Sequence, residues 1–415
     1  MADTEMTEPQ AAEERGWARR ARRAVLQVAV LVVFVPLGVW LGWQMMAPSA
    51  ERLALHAVNG ADKAALLELV LRAQKQPESE RILQELVYRD AGALNALAEL
   101  ASGHEEALRC LISLARKQPD SLALLADWRM SYPFALGLLR QMGAAVIPRL
   151  KEFAEIYPNA CFMLGVASEN GCHVQQSWAE AARWYGRAWS MGYFAVEAYY
   201  AEAAYNAGLQ EEDAAQKTSW FESAAICHHA AAQCALGVCY AAGEGVEQNL
   251  EKAVEWYARS AAQGFCDAQF NLGWCYLYGE GCRSNAAVAV SLFRDAAWQG
   301  DDLAQYYVGR AYELGQGVKQ DFAEAVRWYG WAVEQGNAAA QCALGHCLSQ
   351  GRGVAQDWAE AVRLYRLAAA QGRSEAQLAL AYCYEHGYGV AQDAAAARYW
   401  RERAAKESQS TIPES

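Results

Sequence analysis

The sequence predicts an all-α protein: an α-solenoid of 36-residue helical hairpins, preceded by one transmembrane helix and a degenerate helical region. Three observations carry this. Gly165, Ala201, Gly237, Gly273, Gly309, Gly345 and Ala381 recur every 36 residues without a slip. Trp184, Trp220, Trp256, Leu292, Trp328, Leu364 and Trp400 do the same. Residues 24–47 carry no charge at all. A fixed period in this range means stacked supersecondary units, not one globular core.

The N-terminus reads as an anchor. Residues 1–23 form a polar tail, acidic first and then basic. At about 1.5 Å per residue, a helix over 24–47 would be roughly 36 Å long, enough to span a bilayer with some tilt. Trp40 and Trp43 sit near one end, where indole rings favour the interface. Arg15, Arg19, Arg20, Arg22 and Arg23 precede the span, and the fifteen residues after it carry only Arg52. The positive-inside rule then keeps the N-terminus cytoplasmic and sends the rest across the inner membrane. The competing reading is a cleaved signal peptide. Its apolar region would be unusually long, and "MMAPSAE" puts Pro48 at the −3 position of the obvious cut.

Residues 48–158 read as degenerate helical hairpins. "KAALLELVLRAQKQPES" (63–79) matches "EEALRCLISLARKQPDS" (105–121) at an offset of 42. Pro77 and Pro119 are expected to stop their helices.

From residue 159 to 405 there are seven hairpins, then a disordered tail over 406–415. The first helix of each shows an i, i+4, i+8 stripe: Ala232, Leu236, Tyr240; then Ala268, Leu272, Tyr276; then Ala304, Val308, Tyr312. A Gly-x-Gly follows, as at Gly243/Gly245 and Gly315/Gly317. Then comes a capping residue: Asn249, Asn285, Asp321, Asp357 or Asp393. Ser177 with Glu180, Asp321 with Glu324 and Asp357 with Glu360 have capping-box spacing. The second helix ends at Gly192, Gly264, Gly300, Gly336 or Gly372, with His228 in that place once. Nucleotide-binding glycines follow strands; these follow helices and recur in five units, so their cause is structural.

This pattern, "AQCALGVCYAAGEGV…WYARSAAQG", resembles the Sel-1-like repeat family, relatives of tetratricopeptide repeats. The first two units depart from it. His173 replaces the second loop glycine of the first unit, and Ala207 and Leu209 replace the pair in the second. The resemblance implies a right-handed α-solenoid that contacts proteins or ligands, often around membrane-bound machinery. A cysteine-rich branch of the family joins one hairpin to the next by paired cysteines. The matching places here hold Ala225 and Gln233, so that framework does not carry over.

The net charge of −12 argues against nucleic acid as a partner. Twelve cysteines are present, and Cys239, Cys275, Cys347 and Cys383 share one place in their repeats, as small buried apolar groups would. "CHHAAAQC" (227–234) offers zinc-type ligands, but no second cluster accompanies it. Cys227 to Cys234 is the least implausible local bridge, and none is expected. No GxSxG, HExxH or Ser-x-x-Lys set breaks the repeat, so catalytic residues, cofactor and metal are all expected to be none. The penicillin-binding activity suggested for some cysteine-rich relatives has no residue here to carry it.

What varies between units should carry selectivity. One such stripe runs Asn271, Trp274, Tyr278; then Tyr307, Arg310, Leu314; then His346, Gln350; then Tyr382, His386. Stacking should set these side by side on the concave face. Trp, Tyr and Arg are common hot-spot residues. The bland reading is that Trp274 and Tyr307 merely fill gaps between hairpins. The expected function is a non-enzymatic, membrane-anchored scaffold that holds a protein or extended peptide in the cell envelope. The alternatives are a binding module for a cell-wall or peptidoglycan-type ligand, and, last, a hydrolase of the cysteine-rich branch.

Overall fold

The computed structural model describes residues 63–73, 75–89, 132–142, 144 and 146–410, with single positions at 53, 96, 97, 100, 107 and 110. The expected membrane span at 24–47 lies outside the described residues, as does most of 105–121. Among the described residues no helix is long and apolar enough to cross a membrane, and none is in a strand. The chain divides into two compact units, Met1–Met142 and Gly143–Ser415.

In the first unit, α1 (Lys63–Ala73) packs against α2 (Pro77–Arg89). Leu66, Leu69, Val70 and Leu83 are buried between them. Pro77 does not simply stop α1; it opens α2. A proline fits a first helical position because that position's N–H has no helical partner anyway. The third helix is α3 (Tyr132–Met142).

The second unit begins with α4 (Val146–Phe153), which packs on α5 (Pro158–Asn170). With α6 (Trp178–Ser190), α5 makes the first hairpin. After a 3-10 turn at Phe194–Val196 come α7 (Glu197–Gln210) and α8 (Ala214–Ile226). The third hairpin is α9 (Ala230–Ala242) with α10 (Leu250–Ala262), and the fourth α11 (Cys266–Tyr278) with α12 (Ala286–Trp298). The fifth is α13 (Asp302–Leu314) with α14 (Phe322–Glu334), and the sixth α15 (Ala338–Gln350) with α16 (Trp358–Ala370). The last is α17 (Ser374–His386) with α18 (Ala394–Ser410). From α5 onward each helix packs on the one before and the one after. The final helix continues to Ser410, so 406–410 is helical where a disordered tail was expected.

Six of the seven hairpins, all but the second, are closed at the loop by a glycine. The first glycine caps the first helix in a left-handed conformation, with φ of 75° at Gly243 and 68° at Gly315. The capping residue of the second helix accepts as expected: Asn249 Oδ1 from Lys252 N at 2.9 Å, Asp357 Oδ1 from Glu360 N at 3.0 Å. Its own N–H donates back to the first helix, Asn249 N to Tyr240 O at 2.8 Å and Asp321 N to Tyr312 O at 2.9 Å. That commitment removes the donor a capping box needs. Glu324 and Glu360 pair instead with Arg327 (2.6 Å) and Arg363 (2.7 Å).

The glycine inside the first helix is a seat for a ring. A Cβ on Gly237 would lie 2.6 Å from the Tyr257 ring, and one on Gly309 2.7 Å from the Tyr329 ring. The second hairpin meets the same demand two turns later. There a Cβ on Gly208 would stand 2.6 Å from Phe221, and α7 runs straight through Ala207 and Leu209, which are helix rather than loop. In the last hairpin the ring is replaced by Arg401, which pairs with Glu385, and the glycine by Ala381.

Neighbouring hairpins are joined by two devices. The second loop glycine rests on the start of the preceding hairpin's second helix: a Cβ on Gly281 would lie 2.2 Å from Leu250 O, and one on Gly389 2.2 Å from Trp358 O. It therefore does more than tighten its own turn. The other device is a glutamine ladder whose acceptors Gln233, Gln269, Gln305 and Gln341 are buried and whose donors are exposed. Gln263 Nε2 donates to Gln233 Oε1 at 2.8 Å, Gln299 to Gln269 at 2.8 Å, Gln335 to Gln305 at 2.9 Å and Gln371 to Gln341 at 3.0 Å. Gln233 Nε2 in turn donates to Ala225 O of the preceding hairpin at 3.1 Å. The two places where a cysteine bridge would sit are thus held by a hydrogen bond.

Two outcomes follow for stability. Gly309→Ala should cost about 1–3 kcal/mol by overpacking against fully buried Tyr329. Gly330→Ala, a helical site with nothing within 4 Å, should gain about 0.5–1 kcal/mol. Urea midpoints for both variants test the seat; equal effects would refute it. At the ladder's end the rung is Glu407, an acceptor, and buried Gln377 Oε1 has no partner. Glu407→Gln should therefore raise stability by up to about 1 kcal/mol, read from the same midpoint. A loss would show that the contacts of the Glu407 carboxylate with Arg403 and Gln377 outweigh the missing donor.

Candidate functional site

The first helices lie side by side through their side chains. Asn271 Nδ2 reaches Cys234 Sγ of the preceding hairpin at 3.7 Å. Trp274 meets Tyr307 of the following hairpin edge-on, ring centroids 5.3 Å apart.

The structure gathers the ten sequence-predicted residues into two ring clusters with polar residues between. In the first cluster Tyr307 stacks on Phe293 (5.4 Å, 25°) and touches Phe270 and Tyr306. Burial pushes its hydroxyl pKa up. Tyr307 is therefore partly a gap filler, as the bland reading held. Trp274 is half-buried and lies on Tyr307 and on Tyr278, whose ring is 4.6 Å away and half exposed. Arg310 and Leu314 continue this face of α13 and are exposed. The second cluster is Tyr382 and His386 (4.2 Å), which extend onto Tyr388; Tyr388 lies flat on Trp358 (4.6 Å, 20°). His386 Nδ1 is 2.9 Å from Tyr382 O.

Between the clusters stand His346 and Gln350. Both are exposed. His346 Nδ1 is 3.0 Å from Tyr365 Oη and its Nε2 is 3.6 Å from Cys342 Sγ. Although water reaches the ring, the surrounding protein lowers its pKa below that of a free imidazole.

Sequence reasoning missed Phe270, Trp358 and Tyr388. Phe270 precedes the stripe by one place, and Tyr388 is the variable residue of Gly387-x-Gly389. The same place in the sixth hairpin holds Arg352, which lies over Phe322 of the hairpin before. A comparison of these pairs between units would have exposed the contact.

Two of the zinc-type quartet at 227–234, His229 and Cys234, are engaged elsewhere. His229 Nδ1 caps α9 by accepting from Ala232 N, and its Nε2 pairs with Glu202 at 3.1 Å. Cys234 meets Asn271, and His228 is exposed with φ 59°. A different trio, Cys266, Asp267 and Asp301, has ligand atoms within 4.8 Å of one another. Asp301 already caps α13 through Ala304 N, and burial raises its pKa. The twelve cysteines are free thiols.

Cys239, Cys275, Cys347 and Cys383 are buried, as small apolar groups. Burial raises Cys234 and Cys347 to about 12, and Cys275 and Cys383 to about 11. A raised thiol pKa favours the folded state while the thiol is neutral. That contribution is intact below the free value of 9.0 and is lost as pH rises toward 11 or 12. At pH 8, iodoacetamide should leave Cys234 and Cys347 of the native protein unmodified while half-exposed Cys172 reacts. Peptide mass spectrometry reads this, and equal labelling would contradict the burial.

The Sel1 repeat family model matches residues 158–193, 230–265, 266–301, 302–337, 338–372 and 374–408. The stretch 194–229 falls outside those ranges and still folds as a hairpin. Among solved structures, the chain is similar to a protective antigen of uropathogenic Escherichia coli that displays an SLR fold. The identity is 30%, over 76% of this chain and 64% of that one, with a TM-score of 0.54. The chain thus spans under two thirds of that antigen's length. It is also similar to a Sel1 repeat protein from Oxalobacter formigenes: 37% identity, 50% of this chain, 84% of that one, TM-score 0.45. No match was found among curated proteins.

Proposed function

We infer, for a chain that belongs to the Sel1 repeat family, a non-enzymatic scaffold that binds another protein along its row of first helices. Proteins of this family typically mediate protein–protein interaction and are generally non-catalytic. The observation that carries the reading is the half-exposed Trp274–Tyr278–Tyr307 cluster with Arg310 beside it. Rigid aromatic rings supply contact area at little entropic cost. The chemistry of the remaining residues supports it too. The buried thiols are held neutral, and His229 and Asn271 are used in packing.

The scaffold is proposed to be anchored in the inner membrane by residues 24–47, with the repeats outside the cytoplasm. Support comes from the uncharged 24-residue stretch and the arginines before it.

Trp274→Ala with Arg310→Ala should weaken recovery of crosslinked partners from native membranes at least tenfold. The helical melt should change little beyond the loss of one half-buried ring. If stability falls and recovery does not, the rings are core and the reading fails.

A further inference from the structure

Among the exposed arginines of the repeats that have no partner among the described residues, Arg283, Arg310 and Arg398, only Arg310 lies on the variable stripe of a first helix. Arg187, Arg327, Arg363 and Arg401 each pair with a glutamate. Arg259 lies over Trp256 and Arg352 over Phe322, while Arg294 and Arg366 reach tyrosine hydroxyls. Arg310 is exposed and has no hydrogen bond, ion pair or ring contact among the described residues. Its equivalents one hairpin away are Trp274 and His346. It therefore sits between a ring and an imidazole whose pKa its surroundings lower. Arg310 and Arg373 both act electrostatically on the Tyr307 hydroxyl, but Arg373 is already paired with Glu375 at 3.2 Å.

This arrangement constrains any partner. A segment that covers Trp274, Tyr278 and Tyr307 must also take water from Arg310. A guanidinium stripped of water without a counter-charge is costly, and its planar fork fits a carboxylate with two parallel hydrogen bonds. The chain as a whole carries a net charge of −12, so the attraction has to be local.

We propose that the row of first helices takes an extended segment of a partner protein that presents an acidic side chain to Arg310 and an apolar or aromatic one to Trp274 and Tyr278. This rests on the scaffold reading above and adds the chemistry of the partner. Neighbouring helices pack about 8–10 Å apart and an extended chain rises about 3.3 Å per residue. The acidic and apolar residues of the segment are then roughly two to four positions apart.

The test is selection of a random, phage-displayed 12-residue peptide library on the full chain in detergent, with wild type, Arg310→Ala and Arg310→Glu in parallel. Wild type should enrich Asp or Glu two to four residues from Trp, Phe, Tyr or Leu. A selected synthetic peptide should bind Arg310→Ala at least tenfold more weakly. Arg310→Glu should switch the enrichment to Lys and Arg, which a purely structural role would not produce. Peptides without acidic enrichment, or bound equally by Arg310→Glu, would overturn this proposal and leave the scaffold reading standing. Failure to select any peptide that Trp274→Ala weakens would overturn both.

Discussion

The repeat unit depends on one contact: an aromatic ring of the second helix resting on bare backbone of the first. Five hairpins place a glycine where any Cβ would stand 2.3–2.8 Å from that ring. Glycine in a helix interior is unfavourable by roughly 0.5–1 kcal/mol, so the ring contact has to return more than that. The exceptions show the same rule. Where α7 is displaced, Gly208 replaces Ala201 as the seat. Where Arg401 replaces the ring, Ala381 is accommodated with 2% exposure. Wherever the ring is kept a glycine seats it, and where the ring is lost the glycine is lost too, which ties the two positions physically.

A hairpin made this way still has to bind its neighbours, and it does so at two heights. Near the loop, the second glycine lets backbone meet backbone; near the other end, paired glutamine amides cross the buried seam. The residue between the two loop glycines adds a third contact, Tyr388 on Trp358 in one case and Arg352 on Phe322 in another. Cooperation thus runs from each unit to the next, as in any quasi-linear array. The array's end is marked by the substitution of Glu407 into the ladder.

Much of this was legible in the sequence because a period isolates what packing demands. The capping residues, the left-handed glycine turns and the buried cysteines are repeated, and repetition displayed them. The ladder glutamines were equally periodic, but a polar residue next to a buried stripe reads as surface. Only geometry shows that each amide satisfies another. The seat at Gly208 was hidden because a 36-residue offset points to Ala201, and a shifted helix start breaks the offset. Pro77 read as a stop because a proline both ends one helix and suits the start of the next. On the variable stripe, residue variation selected Trp274, Tyr278 and Tyr307, which the structure places as neighbours. It could not separate Tyr307, half committed to Phe293, from Trp274, which lies above it.

Availability, not exposure or variation alone, decides what such a surface can do. Asn271 varies between units and lies on the stripe, yet its amide is spent on Cys234 across the hairpin seam. His229 looks like a ligand, yet both its ring nitrogens are engaged. His346 faces solvent, yet Tyr365 and Cys342 hold its ring in place. A repeat scaffold consumes polar groups to fix its register, so most variable side chains are already in use. What stays uncommitted on this stripe is set by subtraction: the half-exposed rings of Trp274 and Tyr278, and the Arg310 guanidinium, from which no group among the described residues accepts.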